Sequence, residues 1–185
     1  MQNVRVKELM VPLSNYATVD ENALMVEAVL ALEQSRERFD HKKLKHRAII
    51  VTDSYKRVVG KIGYLDFLQS LEPKYSEIEE IEHLGSAFTV DFLRSQLEKY
   101  SLWQKPLNDL CGKAANCQVR EFMHIPADAE YIGTDATLDQ AIHQLILTRV
   151  QSLLVKEEQD VVGVLRLSDV VETLFEMIKD CKIDK

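Results

Sequence analysis

Val58-Val59-Gly60-Lys61-Ile62-Gly63-Tyr64-Leu65-Asp66 returns as Val161-Val162-Gly163-Val164-Leu165-Arg166-Leu167-Ser168-Asp169, an offset of 103 residues. Val-Val-Gly and the aspartate six residues after the glycine keep their places in both. Working outward toward the N-terminus, the offset becomes 113: Val6, Glu8, Met10, Ala23, Ala28 and Leu32 fall on Val119, Glu121, Met123, Ala136, Ala141 and Leu145. The change from 113 to 103 places ten extra residues in copy one, between residues 33 and 47. An internal repeat implies a unit that buries its apolar face against its own copy. It also sets two equivalent clefts side by side.

Both copies carry the same order of signals. A short amphipathic turn ends at Met10 or Met123, a proline follows (Pro12, Pro126), and then a short extended piece at 17–19 or 131–132. A helix comes next. In copy two Thr137 and Gln140 have capping-box spacing, and Leu138, Ala141, Ile142 and Leu145 form an i, i+3, i+4, i+7 stripe. In copy one Asn22 is the expected cap, with Met25, Ala28, Val29 and Leu32 as the stripe. Two β-branched runs joined by a polar turn follow, 48–52 with 58–62 and 152–155 with 161–165. Each copy closes on a helix expected to open at Asp66 or Asp169. The unit reads βαββα, with a sheet too small to be stable alone. Two of them facing each other share one core.

Between the copies, Glu77, Glu79, Glu80 and Glu82 form an acidic run broken by Gly85. Thr89 is placed to cap a helix carrying Phe92, Leu93, Leu97 and Tyr100, and Pro106 suits the first turn of another through Leu110 and Cys111. These helices either pad the repeat pair or present a partner surface around Trp103, the one tryptophan of the chain. The expected divisions are 1–71 for repeat one, 72–118 for a helical insert and 119–185 for repeat two with its C-terminal helix.

Composition narrows the function classes. The chain has 185 residues, 46% apolar and 29% charged, as expected of a globular protein. A net charge of -7 argues against a nucleic-acid binder, which needs a basic face. Cys111, Cys117 and Cys181 are odd in number and contain no CxxC, so neither a disulfide framework nor a zinc site is indicated. The first ten residues carry charges where a signal peptide needs an apolar stretch, and the apolar run 23–32 is too short to span a bilayer. The expectation is a cytoplasmic protein that meets neither membrane nor nucleic acid.

The segments VKELM and VREFM opening the two copies, DATLDQA at 135–141 and the doubled GxxxxxD together resemble the CBS domain, and two in tandem resemble a CBS pair, or Bateman module. The resemblance implies an α+β fold of two βαββα repeats packed with pseudo-two-fold symmetry, plus the helical insert. It implies a homodimer, no catalysis, no required cofactor, and a module sensing an adenosyl ligand: AMP, ADP, ATP, S-adenosylmethionine or similar. With no effector domain attached, such a sensor acts on another, unidentified protein. The alternative is a homodimeric interaction scaffold that has lost its ligand.

The family's ligand signature runs Gly, two apolar residues, Thr or Ser, two more residues, then Asp. The glycine permits close approach, the hydroxyl donates to phosphate, and the aspartate accepts from ribose beside a helix N-terminus. Here Gly60, Gly163, Asp66 and Asp169 are kept, while Gly63 and Arg166 replace both hydroxyl residues. Asp66 and Asp169 read equally as helix caps, the latter with Glu172 at capping-box spacing. Arg166 reads as a phosphate contact or as a partner of Asp169. The basic run 41–47 reads as a solvated loop, yet by resemblance Arg47, ahead of the strand at 48, borders the cleft. In copy two the matching entry is Arg149-Val150-Gln151, of which Gln151 is the candidate. His124 and Ile125 complete the candidate set. The five histidines lack metal-ligand spacing, and no GxSxG or P-loop occurs. Neither a catalytic nor a metal site is expected.

Overall fold

The computed structural model describes residues 4–38, 48–78 and 89–181. Arg47 with the rest of the basic run 41–47, and Glu79, Glu80 and Glu82 of the acidic run, lie outside the described residues. Copy one is built from α1 (Val6–Leu9), β1 (Val11–Pro12), β2 (Thr18–Asp20), α2 (Met25–Arg38), β3 (Ile49–Thr52), β4 (Val58–Ile62) and α3 (Tyr64–Leu71). The insert contributes α4 (Val90–Lys99) and α5 (Leu107–Ala115). Copy two follows with β5 (Tyr131–Gly133), α6 (Leu138–Thr148), β6 (Ser152–Glu157), β7 (Asp160–Arg166) and α7 (Leu167–Asp180). Three of the extra residues of copy one lengthen α2, to 14 residues against 11 in α6.

Each copy makes a small sheet in the same order. β2 runs parallel to β3, which pairs antiparallel with β4; β5, β6 and β7 repeat this arrangement. The β-branched runs alternate sides, as strands with period two must. Ile49, Val51 and Ile62 point toward the helices of copy one, beside Ala28. Leu153, Val155 and Leu165 point toward Leu138, Ala141, Leu145 and Val170. The intervening residues Ile50, Leu154 and Val164 meet between the two sheets, with Tyr16. Neither sheet would bury this face alone. Truncating Leu154, fully buried there, to alanine costs ~2–5 kcal/mol by loss of contacts and cavity formation.

The two copies also exchange edges. β1 of copy one adds antiparallel to β7 of copy two, Val11 opposite Val164 and Pro12 opposite Gly163. In the opposite sense, His124 of copy two bridges to Lys61 of copy one. Offsets of 113 and 103 carry Val11 onto His124 and Lys61 onto Val164, so the two exchanges are equivalent.

Helix starts differ from expectation in three places. α6 opens as read, the Gln140 side chain accepting from the Thr137 N–H at 3.0 Å. Asn22 does not cap α2: its N–H and side-chain amide donate to Asp20, both at 3.0 Å. The helix begins at Met25, and Glu27 reaches back to the Leu24 N–H at 2.7 Å. Asp66 and Asp169 likewise sit inside their helices, which open at Tyr64 and Leu167 after caps at Gly63 and Arg166. Asp66 reaches back to the Gly63 N–H and Asp169 takes the Arg166 guanidinium, neither as a cap, so the Asp169 and Glu172 spacing does not mark a helix start.

The insert packs on copy one. Thr89 caps α4, its hydroxyl accepting from the Phe92 N–H at 3.1 Å. α5 lays Ala114 against Met25 and Leu71, with Val29 and Phe67 around them. Met25 and Val29 of the α2 stripe are thus covered, because a small residue on α5 lets that helix come close. Phe175 and Ile178 on α7 stay exposed, at 53% and 66%. Trp103 is tied inside the chain: its N–H donates to Glu72 and its indole N–H to the Tyr75 hydroxyl, both at 2.9 Å.

Candidate functional site

Each motif faces a segment of the other copy, producing two pseudo-equivalent clefts. In the first, Gly163 to Asp169 of copy two faces residues 10–20 of copy one. In the second, Gly60 to Asp66 of copy one faces residues 123–131 of copy two. The glycines were expected to admit a ligand. They admit the other copy's backbone instead: a Cβ on Gly163 would lie 2.8 Å from both the Met10 sulfur and the Val11 carbonyl. One on Gly60 would lie 2.7 Å from the Met123 sulfur and 3.1 Å from the His124 carbonyl. Exchange of edges between the copies is what demands glycine here.

In the first cleft Arg166 caps α7 and Asp169 lies one turn in. The guanidinium is held bidentately, Nε to Oδ2 at 2.6 Å and a terminal nitrogen to Oδ1 at 2.5 Å. Both side chains are largely buried, at 12% and 19% exposure. Burial works against the Arg166 charge, but hydrogen bonds and the charge of Asp169 outweigh it and hold the group above its ordinary value. The structure thus realises the pairing reading of Arg166. Buried Tyr16 reaches in from copy one; burial pushes its phenol well above the ordinary value, and it feels both the Arg166 and Asp169 charges. Tyr16 also lines a pocket of about 390 Å³ with Leu13, Thr18, Asp20 and Lys56. That size lies within the ~300–1,000 Å³ of small-molecule sites. Gln151 is exposed at the rim, its carbonyl accepting from the Leu167 N–H at 2.9 Å.

The second cleft is built differently. Asp66 accepts from the Gly63 N–H at 2.6 Å, and no cation stands where Arg166 stands in copy two. Lys61, part of the motif, meets Glu130 from the facing segment at 2.5 Å and also donates to the Ser152 carbonyl at 3.2 Å. The other Glu130 oxygen takes His124 Nε2 at 2.5 Å and the Ala127 N–H at 3.2 Å. The Lys61 and Glu130 side chains are 11% and 6% exposed, whereas His124 is at 40%. Burial alone would raise the Glu130 carboxyl; hydrogen bonds from Lys61 and His124 hold it below the ordinary range. Ile125, the other candidate on this wall, is exposed at 71%.

Sequence reasoning missed Lys61, Glu130 and Tyr16. A signal for two of them was present, since Lys61 and Glu130 fall opposite Val164 and Ala17 when the copies are superimposed. A charged residue at an apolar position of its own repeat asks for a partner. Among the described residues, no group of three or more His, Cys, Asp or Glu is placed to hold a metal ion.

Residues 119–176 match the CBS domain family. Copy two carries a CBS domain. The crystal structure of a CBS domain-containing protein from Bacillus anthracis aligns over 95% of this chain and 95% of its own, with TM-score 0.63 and 16% identity. The CBS domain of a membrane protein from Sphaerobacter thermophilus aligns over 93% and 88%, with TM-score 0.60 and 14% identity. The CBS-pair protein CBSX2 of Arabidopsis thaliana aligns over 97% and 100%, with TM-score 0.56 and 17% identity. CBSX2 in complex with AMP aligns over 94% and 98%, with TM-score 0.57 and 18% identity. At these identities the shared property is the fold: α/β, two CBS repeats in one pair. No curated protein matches the chain. None of the described helices is long and apolar enough to cross a membrane.

Proposed function

We propose that this CBS pair is a non-catalytic regulatory module that senses an adenosyl nucleotide and passes the signal to a partner protein. The observation that carries the reading is the largely buried Arg166 and Asp169 pair at the start of α7, beside Tyr16, which on its own side lines the pocket. Asp169 offers acceptors for ribose hydroxyls. Arg166 offers a planar fork for phosphate, and the helix N-terminus adds a favourable field. Gly163 and Gln151 frame this cleft. Gly60, Gly63, Asp66, His124 and Ile125 frame its counterpart. Binding asks Arg166 to exchange part of its contact with Asp169 for a phosphate, which couples occupancy to the opening of α7. CBSX2, of the same fold, has been crystallised with AMP, which supports the ligand class. A homodimer through the exposed α7 face and a cytoplasmic location complete the reading.

A second reading has its own observation. Both motif aspartates are already engaged, Asp169 by Arg166 and Asp66 by the Gly63 N–H. That favours a scaffold whose motifs only close their helices. Thermal melts with AMP, ADP, ATP, S-adenosylmethionine and NAD at millimolar concentration separate the two. A ligand at ~100 times its Kd stabilises by ~2.7 kcal/mol, a shift of several degrees at this length. No shift across the set supports the scaffold.

A further inference from the structure

We infer that the pair holds one ligand and not two, because the second cleft is filled by the chain's own Lys61 and Glu130. The inference rests on the nucleotide-sensing reading and says which of two equivalent places does the sensing. The equivalence is geometric as well as sequential: the Lys61 to His124 bridge is the counterpart of the Val11 to Val164 pair. The two clefts can therefore be compared position by position. Where the first has Val164, Ala17 and Val11, the second has Lys61, Glu130 and His124. In the first cleft these positions carry short apolar side chains buried in the core, Val164 at 1% and Ala17 at 5% exposure. In the second, long charged side chains reach across from both walls and bond at 2.5 Å.

This junction is anchored at both ends. Lys61 is held by the Ser152 carbonyl, and Glu130 by the Ala127 N–H and by His124, so neither side chain swings aside without leaving buried polar groups unmatched. A ligand entering would have to separate a desolvated ion pair, which is strongly opposed when one charge stays buried alone. Charge acts in the same direction. An anionic ligand in the second cleft meets the Asp66 and Glu130 carboxylates, while the Lys61 ammonium is committed to Glu130. In the first it meets one carboxylate, Asp169, with the Arg166 guanidinium bonded to it.

Equilibrium dialysis with labelled AMP tests this on the whole chain. The expected result is one AMP per chain, lost in Asp169→Ala and retained in Asp66→Ala. The double variant Lys61→Val with Glu130→Ala gives the second cleft the residues of the first, and should bind two, the second lost on adding Asp66→Ala. Circular dichroism establishes that the double variant is folded; if it is not, the two aspartate variants of the otherwise unchanged chain decide alone. Two AMP per unaltered chain, loss of the single site in Asp66→Ala, or one site in the folded double variant each overturn the inference. AMP bound only by the double variant would uphold the filled cleft and sink the sensing reading. Absence of binding in every variant overturns both.

Discussion

Replacing Glu130 with alanine removes the acceptor that neutralises Lys61, whose side chain is 11% exposed between the two copies. The Ser152 carbonyl remains, but a lone ammonium is left in a site largely closed to water. Breaking a buried pair from one side costs ~3–5 kcal/mol. At roughly 2–4 °C per kcal/mol for a chain of this length, the melting temperature falls by about 6–20 °C. Lys61→Val alone leaves Glu130 with His124 and the Ala127 N–H and should cost less. The double variant, apolar like the first cleft, should recover most of the loss, so the two effects are far from additive. Urea denaturation of the four proteins at neutral pH measures the cycle. Acid supplies a second axis. The Glu130 carboxyl is held below its ordinary range in the folded protein, so its contribution is complete above the unfolded value of ~4.3 and fades as pH falls through the folded value. Glu130→Gln should flatten that acid limb. A loss under ~1 kcal/mol in Glu130→Ala, or additive single effects, would refute the reasoning.

Gly163→Ala drives a methyl to 2.8 Å from the Val11 carbonyl and should destabilise more than Gly60→Ala, whose nearest obstacle is the Met123 side chain; chemical denaturation ranks them. Gly112→Ala, inside α5 with nothing within 4 Å of the new Cβ, should stabilise by ~0.5–1 kcal/mol, read as a higher denaturation midpoint. Light scattering at micromolar protein should give twice 21.3 kDa, and Ile178→Asp on the exposed α7 face should return the monomer mass.

The repeat carried most of the fold. Residues that alternate along 48–52 and 152–155 had to bury two faces, and the only apolar layer available for the second face is the other copy's sheet, where Ile50 and Leu154 meet. The exchange of edges was not legible. Val11 and His124 look like loop residues in sequence, and only the tertiary contact explains why Gly60 and Gly163 are glycines. Helix starts shifted where a carboxylate three residues on competed with a nearer polar residue, as Glu27 did with Asn22. At the site, Arg166 and Asp169 were readable from their spacing. The Lys61 and Glu130 pair joins residues 69 positions apart, and its one signal in sequence is the charge each carries where the other copy is apolar.

The central claim is that the Arg166 and Asp169 cleft takes a phosphorylated adenosyl ligand, and calorimetric titration of AMP and adenosine into three proteins addresses it most directly. Saturable binding of AMP to the unaltered chain and weaker binding of both ligands to Asp169→Ala are expected. Arg166→Ala should lose ~1.5–3 kcal/mol toward AMP while sparing adenosine, as expected for hydrogen bonds to a charged group. AMP affinity unchanged by Asp169→Ala, or equal losses for AMP and adenosine in Arg166→Ala, would contradict it.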